Sequence, residues 1–171
     1  MICPNCRAEV AANKFCSNCG TALTKEDKMS RAEFSVAWVR DILRDLEYDV
    51  SEIKKAENDA ESFTARHKAR FNLILDYRGS LRVLLVTSLW TAKAPGVLDR
   101  AEFFKALNSL NSDIVCCQCS VDEKSLDSLY IQYTLFVTDI VSRSDVVSFL
   151  ELVDSITNRV VHQPRAKAIL G

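Results

Sequence analysis

The sequence predicts an α+β protein in two parts, a small four-cysteine head and an antiparallel sheet domain of order α-β-β-β-α-β-β-α. Three observations carry this expectation. Four of the seven cysteines lie in the first 20 residues as two C-x2-C pairs. Beyond residue 30 the chain alternates helical and strand periodicity. The composition, 48% hydrophobic and 26% charged over 171 residues, suits one buried core with a small appendage. With 4 Gly and 3 Pro the chain is neither collagen-like nor of low complexity, and its apolar runs are too short to span a bilayer. A net charge of -1 supplies no global pull toward nucleic acid or anionic lipid.

The head comes first. Cys3-Pro4-Asn5-Cys6 and Cys16-Ser17-Asn18-Cys19-Gly20 place four thiolates on two tight turns, with nine residues between the inner cysteines. Four thiolates can surround a tetrahedral Zn²⁺ at ~2.3 Å and leave no open position for water, which makes such a site structural. The expected ligands of one structural Zn²⁺ are therefore Cys3, Cys6, Cys16 and Cys19. Iron and two disulfides are the chemical alternatives. An odd cysteine total and the absence of a secretion signal at the start point instead to thiols kept reduced in the cytoplasm. The pattern CPNC with CSNCG resembles the short bacterial zinc-ribbon family over residues 1–23. That resemblance implies the metal but not the target, since ribbons bind nucleic acid, bind protein or merely decorate a larger domain.

A polar linker, 24–29, leads into the domain at 30–171. Ser30 and Glu33 have capping-box spacing before the stripe Phe34, Trp38, Ile42, Leu43 and Leu46, so a helix is expected from Ser30. The charged stretch 50–61 reads as loop or frayed helix. Alternating runs at 63–67, 71–77 and 81–90, with a turn at Arg78-Gly79-Ser80, predict a three-strand meander. Pro95-Gly96 marks a loop, and Asp99 with Glu102 starts a second helix bearing Phe103, Leu107 and Leu110. Two strands follow within 114–121 and 129–141. Ser142 or Ser144 then caps a final helix carrying Val146, Leu150, Val153 and Val160, with Pro164 beyond its end.

No nucleophile-elbow, zinc-protease, phosphate-loop or dinucleotide motif occurs, so the chain is expected to bind rather than catalyse. Cys116, Cys117 and Cys119 fall in an apolar run and read as small core residues. Several strands are apolar on both faces, which points to a homodimer or a protein client at the second sheet face, with Tyr130 and Phe136 as anchors beside Leu84 and Val86. Arg66, His67, Lys68 and Arg70 form the densest basic cluster and carry the alternative, a nucleic-acid-associated regulator that uses the ribbon and this hairpin.

The element order, with the segments YDVSEI, FNLILDY and RAEFFKALNSLN, resembles the YbjN family and the related type III secretion chaperone-like fold. Chaperones of that fold dimerise and hold extended clients without consuming nucleotide, and YbjN-like proteins are associated with bacterial regulation and stress. Taken with the cysteine head and the missing catalytic motifs, the chain is expected to be a cytoplasmic, non-enzymatic, zinc-binding interaction module, chaperone-like or regulatory, with no membrane attachment. The resemblance carries over no functional residue.

Overall fold

The computed structural model describes Asn18 and residues 28–30, 33–92, 99–114, 116–122 and 126–170. Strand β1 (Lys28–Ser30) opens the described chain, so the expected linker ends in residues that already pair with the domain. Helix α1 (Val36–Asp45) starts later than expected. Ser35 is its N-cap: its backbone is extended and the Trp38 amide donates to its Oγ at 3.3 Å. Ser30 and Glu33 do make the bonds of a cap, with the Ser30 amide donating to Glu33 Oε2 at 3.2 Å. Because Ser30 ends β1, the pair closes a turn there instead of opening the helix.

The expected loop or frayed helix at 50–61 holds two short strands, β2 (Asp49–Val50) and β3 (Lys54–Lys55), both paired to β4 (Ala60–Arg66). β4, β5 (Leu73–Arg78) and β6 (Val83–Thr91) form the predicted meander. Helix α2 (Arg100–Asp113) is capped by Asp99, whose Oδ1 accepts from the Glu102 amide at 2.8 Å. The chain then lands on the far edge as β7 (Gln118–Val121) and returns as β8 (Ser128–Phe136) between β7 and β6. The sheet order is β2-β4-β5-β6-β8-β7, every pairing is antiparallel, and β3 joins β4 off that path.

The run expected as one strand to residue 141 breaks after Phe136. β9 (Ile140–Ser142) pairs with β1 in a separate two-stranded sheet. Ser142 then caps α3 (Arg143–Val161) with a complete capping box: the Asp145 amide donates to Ser142 Oγ at 3.1 Å and the Ser142 amide to Asp145 Oδ2 at 2.8 Å. Pro164 lies beyond the end of α3, as expected, and begins a further helix, α4 (Pro164–Leu170), because a helix's first residue needs no amide donor.

The helices α1 to α4 of the described residues contribute to one core with a single sheet face. Val39, Ile42, Phe103, Leu110, Val146, Val153 and Ile169 meet Phe63, Leu73, Leu75, Leu84, Val86, Leu129 and Ile131 there. Ser88, Tyr133 and Thr157 bring polar groups into this layer, and each has a partner. Ser88 Oγ accepts from Trp90 Nε1 at 2.9 Å, and the Tyr133 hydroxyl shares a 2.6 Å hydrogen bond with Thr157 Oγ1 on α3. No described helix is long and apolar enough to cross a membrane.

Candidate functional site

Side chains alternate along a strand, so the pairing of β6 with β8 decides which residues share a face. Val83 stands opposite Phe136, Leu85 opposite Thr134, Thr87 opposite Gln132 and Leu89 opposite Tyr130. β5 adds Ile74 opposite Thr87 and Asp76 opposite Leu85. Among the described residues, no side chain of this set is buried, and Phe136 and Leu89 are 69% and 48% exposed. The helices thus leave one face of the sheet open, with an apolar centre at Val83, Leu85, Leu89, Tyr130 and Phe136.

Two of the expected anchors, Tyr130 and Phe136, lie on this face. Leu84 and Val86 do not: both are 0% exposed and pack in the helix-covered layer. The reason is register. Leu84 pairs with Leu135 and Val86 with Tyr133, so they face the same way as Ile131 and away from Phe136. Val83, Leu85 and Leu89 take their place on the open face. Strand alternation carries their signal, since Val83 and Leu85 are apolar at every second position, but it does not say which alternate set of β6 joins which set of β8.

Shallow hollows flank the face. One, of about 230 Å³, lies between Arg66, Asn72, Ile74 and Leu89; the other, of about 330 Å³, lies between Cys117, Gln118, Thr134 and Phe136. Beside the second, the outer edge of β7 is already occupied. The Cys119 amide donates to Asn111 Oδ1 at 2.7 Å, and Asn111 Nδ2 donates to the Cys119 carbonyl at 2.8 Å. A side chain from α2 thereby takes both outward backbone groups at mid-strand, which a docking strand would need. The face, not this edge, is the accessible surface.

The basic hairpin is partly committed to the fold. The His67 ring lies 4.8 Å from the Tyr48 ring, and its Nδ1 accepts from the Ala69 amide at 2.9 Å. Arg70 Nε reaches Asp154 Oδ2 on α3 at 3.6 Å. Burial raises the Tyr48 hydroxyl's pKa, with the Asp154 charge adding to it. Burial also raises Asp154 above its ordinary range, and Arg70 opposes the shift. Arg66 and Lys68 stay exposed.

The three central cysteines divide. Cys119 is 2% exposed and belongs to the core, Cys117 is half-buried, and Cys116 is exposed, contrary to its expected place among the core residues. Residue 116 precedes β7, so no neighbouring strand covers it. Among the described residues, no three His, Cys, Asp or Glu side chains converge on a metal-binding geometry. Cys3, Cys6, Cys16 and Cys19 lie outside the described residues.

No protein-family model and no curated protein matches the chain. Among solved structures, the chain is similar to the crystal structure of YbjN from E. coli, a proposed transcription regulator, with a TM-score of 0.57 over 81% of this chain and 96% of that one. The fold is YbjN-like. At 14% identity the likeness is one of architecture. Of the segments singled out in the sequence, YDVSEI contains β2, FNLILDY leads through β5, and RAEFFKALNSLN makes up most of α2. Tyr130 and Phe136 lie outside those segments, on β8.

Proposed function

We propose that the protein works by binding another protein chain rather than by catalysis, and that the open sheet face is the surface it uses. One observation carries this reading: Phe136, a large aromatic side chain, stands 69% exposed in the apolar stripe of a sheet whose other face is fully packed. Large aromatic anchors dominate the energetics of protein interfaces, and a contiguous apolar patch on an otherwise ordinary surface marks an association site. A second copy of the chain is the simplest occupant, and a protein client the other.

In this reading Cys3, Cys6, Cys16 and Cys19 hold one structural Zn²⁺, and the head extends the binding surface of a chaperone-like or regulatory adaptor in the cytoplasm. The description of E. coli YbjN as a transcription regulator favours the regulatory form. Nucleic acid is the lesser candidate partner. The basic hairpin spends Arg70 on Asp154 and packs His67 on Tyr48, which leaves Arg66 and Lys68 as its exposed cations.

Sedimentation of wild type beside Phe136→Asp tests the face. Loss of a packed aromatic anchor costs ~2 kcal/mol or more, which weakens a dimer about thirtyfold, while the far-UV circular dichroism stays that of the wild type. A wild type that remains monomeric, and that retains the same bound proteins after Phe136→Asp, would sink the proposal.

A further inference from the structure

The open face is not uniform across its width, and the difference between its flanks bears on what can cover it. β6 runs down the centre with Val83, Leu85 and Leu89. On one flank β8 presents Thr134 and Phe136, both exposed and both uncharged. On the other, β5 presents Asp76 and Arg78, with Arg78 Nη2 3.6 Å from Asp76 Oδ2 and the two side chains 47% and 32% exposed. A wholly apolar partner laid on this face would strip water from that ion pair and give nothing in exchange. The occupant must bring groups matched to a carboxylate and a guanidinium, in a fixed order along the strand.

We propose that a second copy of the chain is the occupant, packed sheet on sheet about a two-fold axis that follows β6 and passes through Leu85, an assignment that rests on the reading of the open face as a binding surface. Because β5 and β8 flank β6 on opposite sides, such an axis lays each copy's β5 over the other's β8. The ladder then fixes which residues meet. Asp76 and Thr134 both stand opposite Leu85, and Arg78 and Phe136 both stand opposite Val83. Asp76 of one copy therefore receives the Thr134 hydroxyl of the other, which donates to the carboxylate. Arg78 receives the Phe136 ring, whose face attracts a guanidinium. Leu85 meets itself at the centre, and the two-fold repeats each match.

The next row agrees. Ile74 and Gln132 both stand opposite Thr87, and the Gln132 amide donates to Thr87 Oγ1 at 3.4 Å, so Ile74 covers a side chain whose amide is engaged within its own sheet. Packed sheets lie ~10 Å apart and cross at about 30°, a rotation that moves residues least beside the axis, where these pairs stand one strand spacing, about 4.8 Å, away. A two-fold through Leu85 at right angles to the strands has the opposite electrostatics. It lays β5 on β5 and brings the two Asp76 carboxylates together, a like-charge contact that disfavours association.

The test is a double-mutant cycle on the dimerisation constant of the full chain, measured by sedimentation equilibrium. Within one copy β6 lies between Asp76 and Thr134, which sets them two strand spacings, about 9.6 Å, apart. Coupling between them in dimerisation therefore arises across the interface. Asp76→Asn and Thr134→Val are each expected to weaken the dimer about tenfold, and the double variant no further than either alone. Arg78→Met and Phe136→Leu are expected to couple in the same way, which gives a second reading if one variant folds poorly by far-UV circular dichroism. Additive losses in both cycles, about a hundredfold for the doubled Asp76 and Thr134 variant, would overturn the axis while leaving the face as a dimer surface. A wild type that stays monomeric would overturn the second copy as occupant, and loss of a bound client with Phe136→Asp would then keep the face as a binding surface.

Discussion

Asp154 projects from α3 with Oδ2 3.6 Å from Arg70 Nε, while its Oδ1 is buried and unpaired. A carboxylate so placed resists ionisation, and burial is the leading cause of its raised pKa. Arg70, the Phe71 amide and His67 pull the other way without cancelling it. The sign of the linkage follows from the proton count. Between the ordinary aspartate value of 3.8 and the folded pKa, the folded chain still holds the proton that the unfolded chain has released, so stability falls as pH rises through that window. Asp154→Asn, which cannot ionise, is expected to remove this fall. Urea midpoints from about pH 4 to about pH 7 should decline more steeply for wild type than for the variant, and parallel curves would show that Asp154 does not carry the effect.

At the scale of elements, Ser142 does double duty. It pairs with Lys28 as the last residue of β9 and closes the capping box of α3, at 5% exposure. Ser142→Ala removes the side-chain half of that box and should cost about 1–2 kcal/mol, a drop in Tm of roughly 3–6 °C by thermal melt. Both Ser142 and the Asp99 cap of α2 were legible in the sequence, because a hydroxyl or carboxylate followed three residues later by an acid states its own chemistry. The same spacing misled at Ser30, where pairing of β1 with β9 claims the residue before a helix can. β1 is not visible locally, since its partner β9 lies more than a hundred residues away. The open face was half legible for a similar reason. Alternation separated Val83 and Leu85 from Leu84 and Val86, but only the crossover through α2 and β7 sets Val83 against Phe136. Asn111 left no signal, as an asparagine in a helix is ordinarily solvated.

For the molecule as a whole, the large domain has its own core on one sheet face, and the proposed metal site belongs to the head alone. Elemental analysis is expected to give one zinc per chain, falling to near zero when Cys3→Ser and Cys16→Ser are combined. Chelation should leave the helical circular dichroism almost intact, because α1 to α4 bury their apolar faces in a core shared with the sheet. Loss of that signal with chelator would show that the two parts fold together. The open face and the Asn111 clamp also have a joint consequence for assembly. Pairing through a face closes after two copies related by a two-fold axis, whereas pairing along bare strand edges adds subunits without limit. By filling the mid-strand hydrogen bonds of β7 from within the same chain, one amide side chain directs a sticky sheet toward finite complexes and away from fibre growth at that edge.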